Sequence, residues 1–347
     1  MKIKSKDVAK ALNLSEATVS LVLNERPGVN ADTRKRVLEY IRRREEEAYR
    51  QNRMTEMIDK GLILMLQYKK HGIIFDRRMN IRNDFTEKIA NIIQEQGYDF
   101  EYAVYDERSD DLQKMISLWK ERNLRGIYLM GAEMDKNNIF YFSEIGVPIV
   151  VGDNNFYNEG IDSYLVDNRE GVRRCVEYLV ERGHSQIVYL AESIDIFNFL
   201  ERREAFILEM ARKECGDAHK RILHLGNTYE EIYKSMCSYL EEGHRRPTAF
   251  VLESSLVSIG VMQALQEYRI KIPREISLVG FDEVPAVNMS GLKLTIVKGT
   301  HTRRHIAAMK HLIRYIEDNE TEIIRVYYRT RMQEGNSVHD KTKYIYI

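Results

Sequence analysis

The residues best suited to chemistry in this chain cluster near its start. Lys2, Lys4, Lys6, Lys10, Arg34, Lys35 and Arg36 offer cations to a polyanion. Between them lies a short mixed run, Ser15, Glu16, Ala17, Thr18, Ser20, Leu21 and Asn24, whose side chains have the size and polarity to meet phosphates and base edges. The charge is unevenly placed. Overall, 53 Lys and Arg balance 53 Asp and Glu, but residues 1–54 hold 13 basic against 8 acidic side chains, leaving 40 against 45 for the remainder. Only the N-terminal module is made for a polyanion.

The elements that position these residues are legible in the stretch Asp7 to Asn24, which reads as two short helices joined by a tight turn. Val8, Ala11 and Leu12 fall on one face of the first helix, and Val19, Val22 and Leu23 on one face of the second, so the two close a small core. Ala9 is small enough to let them approach. Ser15 is a good N-cap, because its hydroxyl accepts from a free backbone N–H of the second helix. In a helix-turn-helix that end of the second helix enters the major groove. Glu16, Ala17 and Leu21 face outward there, with Thr18 and Ser20 placed for phosphates or base edges.

The segment DVAKALNLSEATVSLVLNERPGVNADTRKRVLEYI, Asp7 to Ile41, resembles the N-terminal DNA-binding domain of the lac repressor (LacI/GalR) family of bacterial transcription regulators. The resemblance implies a third helix starting after Asn30, with Val37, Leu38 and Ile41 as its buried stripe and Asp32 in its first turn, where a carboxylate suits the helix dipole. At the position of Leu21 many family members carry an arginine. In the family the following linker becomes a hinge helix that pushes an apolar wedge into the minor groove. Here the wedge position is Ile58, but Gln51, Thr55 and Glu56 depart from the usual hinge residues, and Glu56 is unfavourable beside phosphates. The implied organisation is a helix-turn-helix domain at 1–48, a hinge at 49–60 and an effector-binding and dimerisation domain at 61–347.

After Arg42-Arg43-Arg44-Glu45-Glu46-Glu47, a solvated helix end, the pattern switches to strand–helix alternation. Apolar segments suited to buried parallel strands fall at Leu62–Leu66, Phe100–Val104, Gly126–Met130, Pro148–Val151, Ile187–Leu190, Ala249–Leu252 and Ser277–Phe281. Helix-period segments separate them at Phe85–Gln96, Leu112–Arg122, Val172–Arg182, Arg203–Arg212, Tyr229–Glu241 and Val257–Tyr268. This is doubly wound α/β architecture. No repeat is visible in the sequence.

Enzyme chemistry finds little support. G-x-x-x-x-G-K-S/T, G-x-G-x-x-G and G-x-S-x-G are all absent. His301 and His305 have metal-ligand spacing, but no acidic or cysteine partner completes a set, and they read as polar positions on a helix whose buried stripe is Ile306, Met309, Ile313 and Ile316. Neither a metal nor a cofactor is expected. Cys175, Cys215 and Cys237 form no CxxC pair, nothing before the helix-turn-helix reads as a signal peptide, and no apolar run approaches the ~20 residues that span a bilayer. A reduced cytoplasmic protein is expected.

The segments VDNREGVRRCVEYLVERGHSQIVYL, Val166 to Leu190, and KIPREISLVGFDE, Lys271 to Glu283, together with Leu294–Lys298 and Arg331–Gly335, resemble the same family's effector domain. That domain shares its fold with type I periplasmic sugar-binding proteins. The resemblance implies two doubly wound subdomains joined by three crossovers, at about 61–160 plus 291–325 and about 161–290 plus 326–347, with a ligand between them at the carboxyl ends of the strands. Arg202 matches the arginine of the family's R-x-x-G-F segment, and Asp282 the first aspartate of its G-F/Y-D-D segment. A guanidinium and a carboxylate on one cleft suit a hydroxyl-rich ligand; the bland alternative is a plain ion pair between helix and strand. Asp153 and Asp167 fall at strand ends facing that cleft, and Tyr229 offers a stacking face. Where the family carries Asn-Asp this chain has Ser254-Ser255, so one amide aimed at the effector is missing.

These features imply a cytoplasmic transcription regulator, most simply a homodimeric repressor, whose partners are double-stranded operator DNA and a small polar, sugar-like effector. The competing classes are a ligand-binding protein without DNA function and a regulator controlled by a protein partner.

Overall fold

The computed structural model describes residues 5–24, 26, 28–56, 60–72, 82–243, 247–284, 291–318 and 322–344, with the backbone alone at 5, 45–56 and 82–84. The chain forms two compact units, Met1–Lys60 and Gly61–Ile347.

The first unit contains α1 (Ser5–Leu12), α2 (Glu16–Leu23) and α3 (Ala31–Glu56). Asn13 takes a left-handed φ of 53° in the turn, a conformation asparagine tolerates. Val8, Ala9, Val19, Val22 and Val37 form the buried centre. The apolar stripe is narrower than expected. Ala11 is exposed where Ala9 is buried, and Leu23 and Leu38 stay 43% and 49% exposed. Helices of only two turns touch along a thin seam, so the flanking positions of each apolar face remain outside it. A second difference concerns α3, which runs on through Arg42–Glu47 to Glu56. No glycine or proline interrupts residues 31–56, so nothing local stops the helix near Ile41. Ile58 lies outside the described residues.

The second unit alternates strand and helix: β1 (Leu62–Lys69), α4 (Arg82–Glu95), β2 (Asp99–Asp106), α5 (Leu112–Glu121), β3 (Leu124–Met130), α6 (Ile139–Ser143), β4 (Ile149–Gly152), β5 (Asp162–Val166), α7 (Asn168–Val180), β6 (Ile187–Ala191), α8 (Phe197–Arg212), β7 (Ile222–His224), α9 (Tyr229–Glu241), β8 (Ala249–Leu252), α10 (Ser255–Glu267), β9 (Ser277–Phe281), β10 (Thr295–Lys298), α11 (His301–Asp318), β11 (Arg325–Tyr328) and β12 (Arg331–Gln333). Two six-stranded sheets result, ordered β11-β5-β4-β3-β1-β2 and β12-β10-β9-β8-β6-β7. All pairings are parallel except β10 with β12. The two orders are the same pattern applied twice, a duplication the sequence does not display. Each sheet carries an apolar cluster on both faces, as buried parallel sheets require.

The sheets correct the expected crossovers. β5 and most of β11, assigned to the second subdomain, belong to the first sheet, where β11 forms the edge beside β5, and β10, assigned to the first, belongs to the second. Side chains fix both placements. One Asp162 oxygen accepts from the Ile324 N–H at 2.6 Å and the other lies 2.8 Å from His311 Nε2, binding β5 to α11 and the approach to β11. Thr295 ties β10 to the closing segment, donating its N–H to Ser337 Oγ at 2.8 Å and accepting from the Gly335 N–H at 3.0 Å. Two helices also begin earlier than the apolar period suggests. α7 starts at Asn168, and α8 at Phe197, which brings Arg202 inside a helix.

Candidate functional sites

In the first unit, Ser15 caps α2. Its Oγ accepts from the Thr18 N–H at 3.1 Å and shares a hydrogen bond with Thr18 Oγ1 at 2.8 Å. At the other end, the Asn24 amide donates to the Ser20 carbonyl at 2.9 Å and to Ser20 Oγ at 3.3 Å. Glu16, Ala17, Ser20 and Asn24 are exposed, and Thr18 and Leu21 partly so. The expected reading surface thus lies on one short helix whose two ends are locked by its own side chains.

In the second unit, Asp153, Asp167 and Asp282 each directly follow a strand, and the candidate effector residues have different partners. Arg202 is 5% exposed. Its Nε donates to Asn168 Oδ1 at 2.9 Å, its Nη1 to the Glu253 carbonyl at 2.6 Å, and its guanidinium lies 4.2 Å from the Phe281 ring centroid. Asn168 is held in turn, its Nδ2 donating to Asn198 Oδ1 at 2.8 Å and Glu201 Oε2 at 3.1 Å. Because a guanidinium only donates, this network fixes which way the Asn168 amide points. Arg202 Nη2 has no hydrogen-bond partner among the described residues, and Arg202 forms no ion pair with Asp282. Phe281, beneath Arg202, immediately precedes Asp282. Asp282 sits at φ 65°, with Oδ1 3.3 Å from His301 Nε2.

The other candidates have structural partners. Asp153, also at φ 65°, gives both carboxylate oxygens to Nη2 of the fully buried Arg304 at 2.8 and 2.9 Å. Arg304 Nη1 donates to the Tyr164 carbonyl at 3.0 Å. Asp167 caps α7, accepting from the Glu170 N–H at 2.9 Å. Ser254 caps α10, accepting from the Val257 N–H at 3.2 Å while donating to Glu192 Oε1 at 2.5 Å. Tyr229, partly exposed, stacks on Tyr233 with centroids 6.2 Å apart. His301 and His305 diverge to Asp282 and to the Tyr128 hydroxyl. Among the described residues no group of three or more metal-ligating side chains gathers.

A buried charge cluster behind Arg202 escaped the sequence reading. Glu253 is fully buried and gripped by Arg203, Nε to Oε1 at 2.8 Å and Nη2 to Oε2 at 3.0 Å, with the Glu192 N–H on the same Oε2 at 2.8 Å. Burial pushes the Glu253 carboxyl up to about 7, against the downward pull of Arg203. The available signal was placement: Glu192 and Glu253 each directly follow an apolar strand, where a parallel sheet puts its site residues. Arg304 left no such signal.

The model of bacterial regulatory proteins of the lacI family matches residues 5–49. A periplasmic binding protein-like domain matches residues 176–338. The chain belongs to the LacI family. As a member it is a sequence-specific DNA-binding transcription regulator and not an enzyme. The LacI-family chain is 25% identical over 341 residues to the "Probable HTH-type transcriptional repressor ExuR" of Bacillus subtilis, covering 97% of this chain and 98% of that one. Among solved structures it is similar to the CelR–cellobiose complex (TM-score 0.66, 19% identity, 97% of this chain and 100% of that one). It is also similar to the lac repressor dimer bound to operator and the anti-inducer ONPF (TM-score 0.64, 17% identity, 98% and 100%). Among the described residues no helix is long and apolar enough to cross a membrane.

Proposed function

We propose that this regulator is a cytoplasmic homodimeric repressor released or engaged by a small, hydroxyl-rich, sugar-like effector held between the carboxyl ends of its two sheets. Residues 1–48 read the operator, 49–60 link, and 61–347 bind effector and partner subunit. Two recognition helices then meet successive major-groove faces about 34–36 Å apart. Effector binding changes the preference between cleft arrangements and so the separation of the two readers.

The observation that carries the effector reading is Arg202. Two hydrogen bonds and the Phe281 ring hold its guanidinium, and its Nη2 has no hydrogen-bond partner among the described residues. Donors on Arg202 and acceptors on Asp282 match adjacent hydroxyls on a sugar ring. Ser254 is occupied as a cap and by Glu192, so the grip centres on those two residues. The three cysteines are unpaired, in keeping with a reducing compartment.

A thermal-shift screen of sugars, sugar phosphates and nucleosides tests this reading. A compound that stabilises the wild type should bind Arg202→Ala or Asp282→Ala roughly 10- to 200-fold more weakly, the loss of a hydrogen bond to a charged group. Operator affinity without effector stays unchanged. A compound that releases operator and stabilises Arg202→Ala as well as wild type would place the effector elsewhere.

A further inference from the structure

On the outward side of α2, most polar side chains are satisfied within the helix. The Ser15 and Thr18 hydroxyls bond one another, and Ser20 accepts from the Asn24 amide. Glu16 is different. It is exposed in the first helical turn and makes no hydrogen bond or ion pair with any described residue.

An acid at the start of α2 is out of place on a module with 13 basic and 8 acidic residues over 1–54, because every phosphate it approaches repels it. The helix dipole makes a carboxylate comfortable at this end, and this is the end that enters the major groove. Among major-groove edges, guanine presents O6 and N7 acceptors and thymine an O4 acceptor, all of which reject a carboxylate. Cytosine presents only the N4 amino donor on its own edge, the group a carboxylate accepts from. Ala17 and Leu21, the other outward positions, carry no hydrogen-bonding group and are limited to thymine methyls.

We infer that Glu16 is the side chain that reads a cytosine, at one symmetric position in each operator half-site. The inference rests on α2 being the recognition helix and adds the identity of one base pair. Adenine is the weaker competitor, because its N6 donor is flanked by the N7 acceptor. Glutamine offers both a donor and an acceptor and matches that pair.

Random-sequence selection with the full chain, as wild type, Glu16→Gln and Glu16→Ala, tests it. The wild-type motif should contain a symmetric column preferring cytosine by about 5-fold or more. Glu16→Gln should turn that column to adenine. Glu16→Ala should flatten it and leave the others intact. Glu16 is exposed, so both variants keep the helical core. Identical motifs for all three proteins, with the variants merely binding all DNA more tightly, would overturn the inference by reducing Glu16 to a repulsive charge. A selection that enriches no column at all would overturn the recognition-helix reading itself, and the inference with it.

Discussion

Asp153 and Asp282 occupy the same place in the two sheets. Each follows the fourth strand of its half, β4 or β9, and each stands at φ 65°. Each donates its N–H to the neighbouring strand, Asp153 to the Tyr164 carbonyl at 3.2 Å and Asp282 to the Val297 carbonyl at 2.9 Å. Their carboxylates part company. Asp153 is sealed against Arg304, whose side chain is inaccessible, whereas Asp282 stays one-fifth exposed beside a His301 that is one-quarter exposed. An identical backbone position thus becomes an internal strut in one sheet and a solvent-facing acceptor in the other. What differs is the contact each carboxylate makes: α11 drives the buried Arg304 against Asp153, whereas Asp282 lies beside the partly exposed His301 at the start of that helix. A buried charge must be paired, and once paired it is not available to a ligand.

The comparison breaks most visibly under charge removal. Asp153→Asn leaves Arg304 buried with an uncompensated charge and should cost about 3–5 kcal/mol of stability. Asp282→Asn, at a partly solvated site, should cost less than about 1 kcal/mol. Denaturant unfolding of the two variants measures the contrast, and equal losses would erase it.

The buried pair of the second sheet gives a smaller effect that depends on pH. The Glu253 carboxyl titrates at about 7 in the folded chain against an ordinary 4.5. Between those values the folded state holds a proton that the unfolded state has released. The stability from this group is therefore full below the ordinary value and falls as pH rises through the folded one. Glu253→Gln removes the fall. The variant should gain on the wild type between about pH 5 and pH 8, read as a narrowing or reversal of their difference in melting temperature. A pH-independent difference would mean that Arg203 keeps the carboxylate ionised throughout, making this pair a second strut like Asp153–Arg304.

The smallest effect lies in the first unit, where stability rests on local contacts. Ser15→Ala removes the cap of α2 and should destabilise this unit by about 1 kcal/mol. It should weaken operator binding slightly and leave the melting of Gly61–Ile347 untouched. An equal shift in the melting of the larger unit would show that the two units unfold together.

Legibility followed the range of the interactions. Ser15 and the Thr18 N–H it caps are three positions apart, and that relation is written in the sequence. So are the apolar runs of β8 and β9 and the full span of α9, whose ends coincide with the expected ones. The short strands β7, β10, β11 and β12, of three or four residues, carry too few side chains to show a period. The early starts of α7 and α8 were hidden because the first turn of α7, Asn168 to Gly171, carries no apolar side chain to show a period, and that of α8 mixes polar and apolar residues. At the candidate site, Arg202 and Asp282 were recognisable by likeness to family segments, whereas Asn168, Arg203 and Glu253 were not, since their roles exist only through one another.

By itself the sequence determined the type of most elements, the helix-turn-helix with its cap, and the concentration of positive charge on the first module, because period, capping chemistry and composition act within a few residues. The tertiary structure alone decided which strands share a sheet, where the crossovers fall, and which aspartate is sealed and which is left open. Asp153 and Arg304 are 151 positions apart, and nothing local to either residue encodes their meeting. It follows from packing α11 against the first sheet, which buries a guanidinium that must then find its carboxylate.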